Sequence, residues 1–524
     1  MENKEEIIFR LAKPKRKGLL PLIFSRFLIV ALLFIIQLVL VMGVYTWLKQ
    51  DIWFFSGLMS LFTLVMVVLL FNSDMDATAK LTWMLLIALF PLPGAAFLAF
   101  TQTDLGHNLV KLRIQELNQQ TCQVLEQDEK SIQPLREDGS GVAALARYLN
   151  RTGSYPVYTS TEVRYFPSGE EKFQALLEEL KKAERFIFLE YFIIEEGYMW
   201  GEILKILIEK AQAGVDVRVM YDGMYEMSTL PGNYPQLLEA QGIKAKAFLP
   251  ITPIISSYYN YRDHRKILVI DGKVAFNGGV NLADEYINRI ERFGHWKDTA
   301  VMLKGPAVRS FTLMFLNMWN LIEKDPEYLP YLETEEEPVR PDQGWVIPYA
   351  DCPLDEYKAG ETVYMDILNR AQNYVHIMTP YLILDGEMMG ALKYAAQRGV
   401  DVKIILPGIP DKPAAWALAK SHYQELLSAG VQVYEYTPGF VHAKVFVSDD
   451  EKAVTGTINL DYRSLYHHFE CATFMYRTPC IADMERDFQQ TLALCRPVTP
   501  ETIKNESLRM RLTGSFLKFI APLM

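Results

Sequence analysis

His264-Arg-Lys266-Ile-Leu-Val-Ile-Asp271 is followed by Gly278-Gly279-Val280-Asn281, and the chain repeats the phrase as His442-Ala-Lys444-Val-Phe-Val-Ser-Asp449 with Gly456-Thr457-Ile458-Asn459. Each copy reads His-x-Lys-x-x-x-x-Asp. One copy alone would be an ordinary hairpin with a surface histidine. Two copies, each trailed by glycine and asparagine, read as a duplicated unit that delivers two imidazoles and two ammonium groups. The duplication extends upstream. Gly214-Val-Asp-Val-Arg-Val-Met-Tyr-Asp-Gly223 has its counterpart in Gly399-Val-Asp-Val-Lys-Ile-Ile-Leu-Pro-Gly408, each preceded by a helical pattern and an earlier apolar strand. Alternating strands and helices make both halves α/β, with duplicated mixed sheets flanked by helices.

The residue types suit displacement at a phosphodiester. That reaction needs a nucleophile, a proton donor for the leaving oxygen, and positive charge against the phosphoryl oxygens. Histidine titrates near neutrality and can fill either of the first two roles, while lysine supplies a compact charge. One imidazole can form a phospho-enzyme while the other protonates the departing alcohol and later deprotonates the incoming one.

Spacing places the parts locally. Ile267–Ile270 and Val445–Val447 are rich in strand formers, so His264 shares a face with Lys266, and His442 with Lys444. Asp271 falls on the other parity within Asp271-Gly272, a two-residue hairpin signal, and Asp449 opens a polar turn. Both aspartates belong to the motif, and their position predicts a mainly structural role. Gly279, Thr457, Asn281 and Asn459 are expected to let backbone approach a phosphate and to add hydrogen-bond donors. Asp298 and Glu470 follow their motifs at comparable distances and are candidates to accept the second ring N–H of an imidazole.

The pattern resembles the phospholipase D superfamily, and within it the bacterial cardiolipin synthases. The resemblance rests on Asn277-Gly-Gly-Val-Asn281-Leu-Ala-Asp-Glu-Tyr286, Trp296-Lys-Asp298-Thr299, Gly456-Thr-Ile-Asn459-Leu-Asp-Tyr-Arg463-Ser464-Leu, His468-Phe469-Glu470-Cys471 and Asp74-Met-Asp76-Ala-Thr-Ala-Lys80. It implies two similar lobes meeting at the motifs, with His264 as nucleophile and His442 as acid and base. It also selects the reaction, in which one phosphatidylglycerol passes its phosphatidyl group to another, giving cardiolipin and glycerol. From the residues alone, a phospholipase D-type hydrolase, another phosphatidyltransferase and an inactive membrane scaffold stay open, as does the identity of the nucleophile.

Half of the 524 residues are hydrophobic, and mean hydropathy is slightly positive at +0.04. The excess lies in residues 1–110, expected to be a membrane anchor. Runs 27–47 and 52–71 are uncharged and of bilayer length, while 81–100 holds Pro91, Pro93 and Gly94 and reads as a kinked span or a re-entrant hairpin. Lys13, Lys15, Arg16, Lys17 and Arg26 precede the first run and predict a cytoplasmic amino terminus in the cell membrane. Residues 111–154 read as a connecting segment, 155–335 as the first lobe, 323–341 as an acidic link, and 336–524 as the second lobe. The second lobe closes on an amphipathic, basic helix with Leu508, Leu512, Phe516 and Phe519 on one face.

A net charge of −10 argues against nucleic acid and, with the anchor, for phosphatidylglycerol and other membrane lipids as partners. The five cysteines lack paired spacing and are expected to be free thiols. His295 and His468 are expected to lend polarity to the substrate pocket. No cofactor and no metal are predicted, because the mechanism needs none and no carboxylate spacing pairs with these histidines. Nothing in the sequence sets an oligomeric state.

Overall fold

Phe186-Ile-Phe-Leu-Glu-Tyr191 and Lys266-Ile-Leu-Val-Ile270 are apolar at nearly every position, the mark of strands covered on both faces. The computed structural model describes residues 52–102, 105–122, 124–224, 229–250, 261–323, 325–333 and 344–523, together with Val39. Apart from Val39, the apolar run 27–47 lies outside the described residues, as do the basic residues before it.

The first half contains β1 (Glu162–Phe166), β2 (Phe186–Tyr191), β3 (Asp216–Asp222), β4 (Lys244–Phe248), β5 (Arg262–Asp263), β6 (Lys266–Ile270), β7 (Val274–Gly278), β8 (His295–Lys297) and β9 (Ala300–Lys304). The second contains β10 (Trp345–Asp351), β11 (Tyr374–Met378), β12 (Asp401–Pro407), β13 (Gln432–Tyr436), β14 (Gly439–Val441), β15 (Val445–Ser448), β16 (Lys452–Gly456), β17 (His468–Tyr476) and β18 (Cys495–Pro497). One sheet runs β1-β9-β7-β6-β2-β3-β4 and the other β10-β17-β16-β15-β11-β12-β13-β18. Position by position the two orders match, with β18 added at one edge. The parallel pairs β2–β3–β4 and β11–β12–β13 also correspond. Gly214 (φ +94°) and Gly399 (φ +93°) end matching helices in the left-handed conformation that then admits β3 and β12.

The halves exchange strands. β5, just before His264, pairs in parallel with β17 of the second half, and β14, just before His442, pairs in parallel with β8 of the first. One apolar core also spans both sheets, with Phe188, Ile267 and Phe315 packed together with Val445, Cys471, Met475 and Phe488. The lobes are therefore one folding unit around a shared seam.

Residues 111–154 do more than connect. Helices Glu129–Glu137 and Val142–Gly153 are amphipathic, and Leu135, Val142, Leu145 and Leu149 sink into the core of the second half. Tyr158 bridges to Val346 of β10, so the chain meets the second sheet before it builds the first. Within the 323–341 stretch, Leu332 of the short helix Leu329–Leu332 is buried, and 334–341 lie outside the described residues.

At the front, Ile52–Phe71 is one uncharged helix. Ala77–Leu89 follows, capped by the Asp76 carboxylate, and Pro91–Gln102 folds back on it so that the Trp83 and Phe97 rings lie 5.3 Å apart. The 81–100 run is thus a helical hairpin. Taking the described residues alone, no helix is long and apolar enough to cross a membrane. Thr82 Oγ1 donates to Phe519 O at 2.8 Å, tying this hairpin to the carboxy-terminal helix Leu508–Ile520.

Candidate active site

Strand exchange carries each histidine to the other half's carboxylate. His264 N donates to Phe469 O at 2.9 Å and His442 N to Lys297 O at 2.7 Å, so each motif is stitched to the residue that precedes the opposite acid. His264 Nδ1 then lies 2.9 Å from Glu470, and His442 Nδ1 lies 2.7 Å from Asp298 Oδ2. A carboxylate at that distance holds the proton on Nδ1 and leaves Nε2 as the reactive nitrogen. All four groups are buried.

The lysines sit where strand parity puts them. Lys266 Nζ donates to His264 O at 2.6 Å, and Lys444 Nζ lies 3.0 Å from both ring nitrogens of His442. Burial, together with the charges of Lys266, Lys444 and His442, holds the His264 pKa well below its ordinary value. Burial and Lys444 lower His442 to about 4 against the opposing pull of Asp298. Burial likewise brings Lys444 down to about 7 and Lys266 to about 8. Burial alone would raise the Asp298 pKa, but the charge and hydrogen bond of His442, with Lys444 behind them, keep it below the usual carboxylate range. The site is an electropositive, water-poor pair of imidazoles. It suits a bound anion, whose charge would raise both histidines again.

Asp271 and Asp449, grouped with the catalytic residues by motif membership, sit at the far ends of β6 and β15. Asp271 accepts from the backbone N–H groups of Glu184, Arg185 and Phe186 at 2.7–2.8 Å. Asp449 accepts from those of Gln372, Asn373 and Tyr374 at 2.8–2.9 Å. Both have φ +55°, as the turns require. Their bonds lock each hairpin to the start of β2 or β11, the structural part that parity indicated.

Gly279 and Thr457 both sit against the carboxylates. A Cβ at Gly279 would fall 2.1 Å from Asp298 Oδ1, so its absence makes room for the carboxylate. Thr457, at the equivalent place, donates its hydroxyl to Glu470. Asn281 accepts from Ile193 N at 3.1 Å and donates to Tyr286 Oη at 2.8 Å, which commits it to holding the wall of the site. Asn459 keeps more freedom: its Oδ1 is buried without a hydrogen-bond partner.

Aromatic rings enclose the imidazoles. Tyr286 and Trp296 lie 5.3 and 5.5 Å from the His442 ring, and Phe192 lies 4.9 Å from His264. Lys172 also comes close, donating to Tyr191 Oη and Val280 O at 3.2 Å, with burial bringing it to about 7. Sequence reading assigned none of these four a role. Lys172 sits in the amphipathic helix Gly169–Leu180, where a lysine reads as solvated. Of the two extra histidines, His468 joins the site with its ring 5.4 Å from that of His264, whereas His295 is exposed and bonds Tyr436 Oη. His264, His468 and Glu470, which no metal-type spacing joins in the sequence, bring three donor atoms within 4.8 Å of one another.

The family profile described as "Cardiolipin synthase, PLD-like domain" matches residues 176–319 and 364–492, which hold both motifs. A cardiolipin synthase of Geobacillus sp. (strain WCH70) is 34% identical over 511 residues, 94% of this chain and 99% of that protein. Cardiolipin synthase 2 of Bacillus anthracis is 33% identical over 467 residues, 87% of this chain and 88% of that protein. An uncharacterized protein of Streptococcus mutans serotype c is 58% identical over 458 residues, 87% of this chain and 99% of that protein. Among solved structures, a phosphatidylserine synthase of Haemophilus influenzae Rd KW20 superposes with a TM-score of 0.56 at 16% identity, covering 72% of this chain and 97% of that chain, a likeness of fold.

Proposed function

We propose that this chain, which belongs to the cardiolipin synthase family of phospholipase D-like proteins and is a phosphatidyltransferase, joins two phosphatidylglycerol molecules into cardiolipin and free glycerol. The observation that carries the reading is the crossed pairing of His264 with Glu470 and of His442 with Asp298. Two buried imidazoles, each held at Nδ1 by a carboxylate and accompanied by its motif lysine, supply the groups that a two-step displacement requires.

His264 Nε2 attacks the phosphorus of the first phosphatidylglycerol, and the P–O bond to the headgroup glycerol breaks. Protonated His442 gives that oxygen its Nε2 proton, and glycerol leaves. The phosphatidyl group is then held on His264. The headgroup hydroxyl of a second phosphatidylglycerol passes its proton to His442 as its oxygen attacks phosphorus, which releases cardiolipin and frees His264. Lys266 and Lys444 oppose the charge on the phosphoryl oxygens throughout, in a site where burial strengthens them. The choice of His264 as nucleophile follows the family, because the two halves offer similar constellations.

The same reading places the chain in the cell membrane with more than one crossing. In its support, Phe54, Leu61, Leu69 and Phe71 of the Ile52–Phe71 helix stand exposed, as do Leu81 and Leu89 of the hairpin and Leu508, Leu512 and Phe516 of the carboxy-terminal helix. The net charge of −10 disfavours a nucleic-acid substrate.

The test is to incubate full-length protein in detergent with phosphatidylglycerol and a chelator, and to identify products by mass spectrometry. Cardiolipin and glycerol in equal amounts are expected. Phosphatidic acid as the main product would replace the transfer with hydrolysis. An alkaline quench during turnover should leave a phosphatidyl adduct on the peptide that contains His264.

A further inference from the structure

His468 is not used in the transfer described above, yet it stands beside the nucleophile. Its ring lies 5.4 Å from that of His264, and Phe192 walls both rings on one side. Its Nδ1 is buried, has no hydrogen-bond partner, and lies 3.6 Å from Glu470 Oε1. Glu470 already receives His264 Nδ1 at 2.9 Å and the Thr457 hydroxyl. No two of the three donor atoms, one each from His264, His468 and Glu470, lie farther apart than 4.8 Å.

We propose that His264, His468 and Glu470 form a binding site for a zinc-type divalent cation, whose occupancy ties up the nucleophile and stops phosphatidyl transfer. Two imidazoles and one carboxylate with an open fourth position form a donor set that tetrahedral zinc accepts, at about 2.0–2.2 Å per ligand. Magnesium, which wants oxygen ligands in an octahedron, is a poor match for it. Small rotations of the His468 side chain close the longest separation. Coordination uses one lone pair of each imidazole and a carboxylate oxygen, and zinc on His264 Nδ1 shifts that ring's proton to Nε2, which removes the lone pair that attacks phosphorus. Thr457 remains behind Glu470 to fix its orientation. The binding stands on geometry alone, whereas the inhibition rests on the reading of His264 as a reacting group.

The experiment reads metal directly. Full-length protein is stripped with chelator, desalted, and titrated separately with Zn²⁺ and Mg²⁺, with bound metal counted by mass spectrometry. Wild type is expected to retain one zinc and no magnesium. His468→Asn should weaken zinc binding by more than ~10-fold, the scale seen when metal-site partners are removed. Co²⁺ in wild type should give the intense visible bands of a four-coordinate site, a readout that needs no variant to fold. Failure of wild type to retain stoichiometric zinc, or equal retention by folded His468→Asn, would overturn the site. Stoichiometric zinc with undiminished phosphatidyl transfer would overturn the inhibition, and absence of any transfer in metal-free protein would count against the reaction while leaving the metal count intact.

Discussion

Asp298, from the first half of the chain, holds His442, from the second, at 2.7 Å, and Glu470 of the second half holds His264 of the first. Each reacting group is therefore oriented by the half it does not belong to. Neither lobe alone supplies the carboxylate for its own motif histidine, which explains why the strand exchange through β8–β14 and β5–β17 matters to chemistry as well as to assembly.

Asp298→Asn keeps the size of the side chain and removes the charge that supports His442. Cardiolipin formation should drop by ~10²–10⁴-fold, the usual worth of a general acid–base. Gly279→Ala should produce a comparable loss, because its new methyl would take the place of Asp298 Oδ1. Initial rates measured on variants with wild-type circular dichroism decide the matter; Gly279→Ala at full activity would contradict the geometry.

Asp271→Ala and Asp449→Ala behave differently. Each carboxylate satisfies three backbone N–H groups, and leaving such donors unpaired costs about 1–3 kcal/mol. Urea unfolding should show that loss, the larger one at the more buried Asp271. The rate per folded molecule should stay within about threefold of wild type, well short of the ~10²-fold loss expected for a general acid or base. A collapse of rate with unchanged stability would put these aspartates in the chemistry after all.

The lysine beside His442 gives the pH profile a direction. Burial lowers Lys444 to about 7, so its positive charge is lost as pH rises through that value. Rates under limiting substrate should decline on the alkaline side near neutrality. Lys444→Arg stays charged throughout and should move that limb upward, even at a lower maximum. An unmoved limb would remove Lys444 as its source.

His422 lies in the helix Pro413–Ser428 and is buried, and burial, aided by the charge of Lys518, lowers it to about 3. An unfolded histidine titrates near 6.5. The unfolded chain therefore takes up the proton first, and the stability tied to neutral His422 is intact above about pH 6.5 and is lost as pH falls toward about 3. His422→Leu cannot titrate, so its denaturation midpoint should fall less than that of wild type across this window. Parallel curves would contradict the assignment.

Much of the fold was legible. Runs such as Gly214–Gly223 and Gly399–Gly408 became β3 and β12, and parity placed His264 with Lys266 and His442 with Lys444 because strands alternate faces. The crossed pairing was not legible, since Asp298 and Glu470 follow both motifs alike and the exchanging strands β5, β8 and β14 have only two or three residues each. Phe192 and Lys172 were invisible for a related reason. Long-range packing brings Phe192 to the His264 ring and buries Lys172 against Tyr191, and no local period records it. Helices at 129–153 looked like a spacer because their apolar stripe is brief and only the second sheet reveals what it covers.

The proposed transfer rests on two imidazoles acting on a single phosphorus atom. The most direct measurement is the rate of cardiolipin formation by His264→Ala, His442→Ala and the double variant. Each single change should cost at least ~10³-fold, and the double change should cost little more, because groups that act as one unit fail together. A single variant within ~10-fold of wild type, or a double variant slowed by the product of two independent losses, would contradict it.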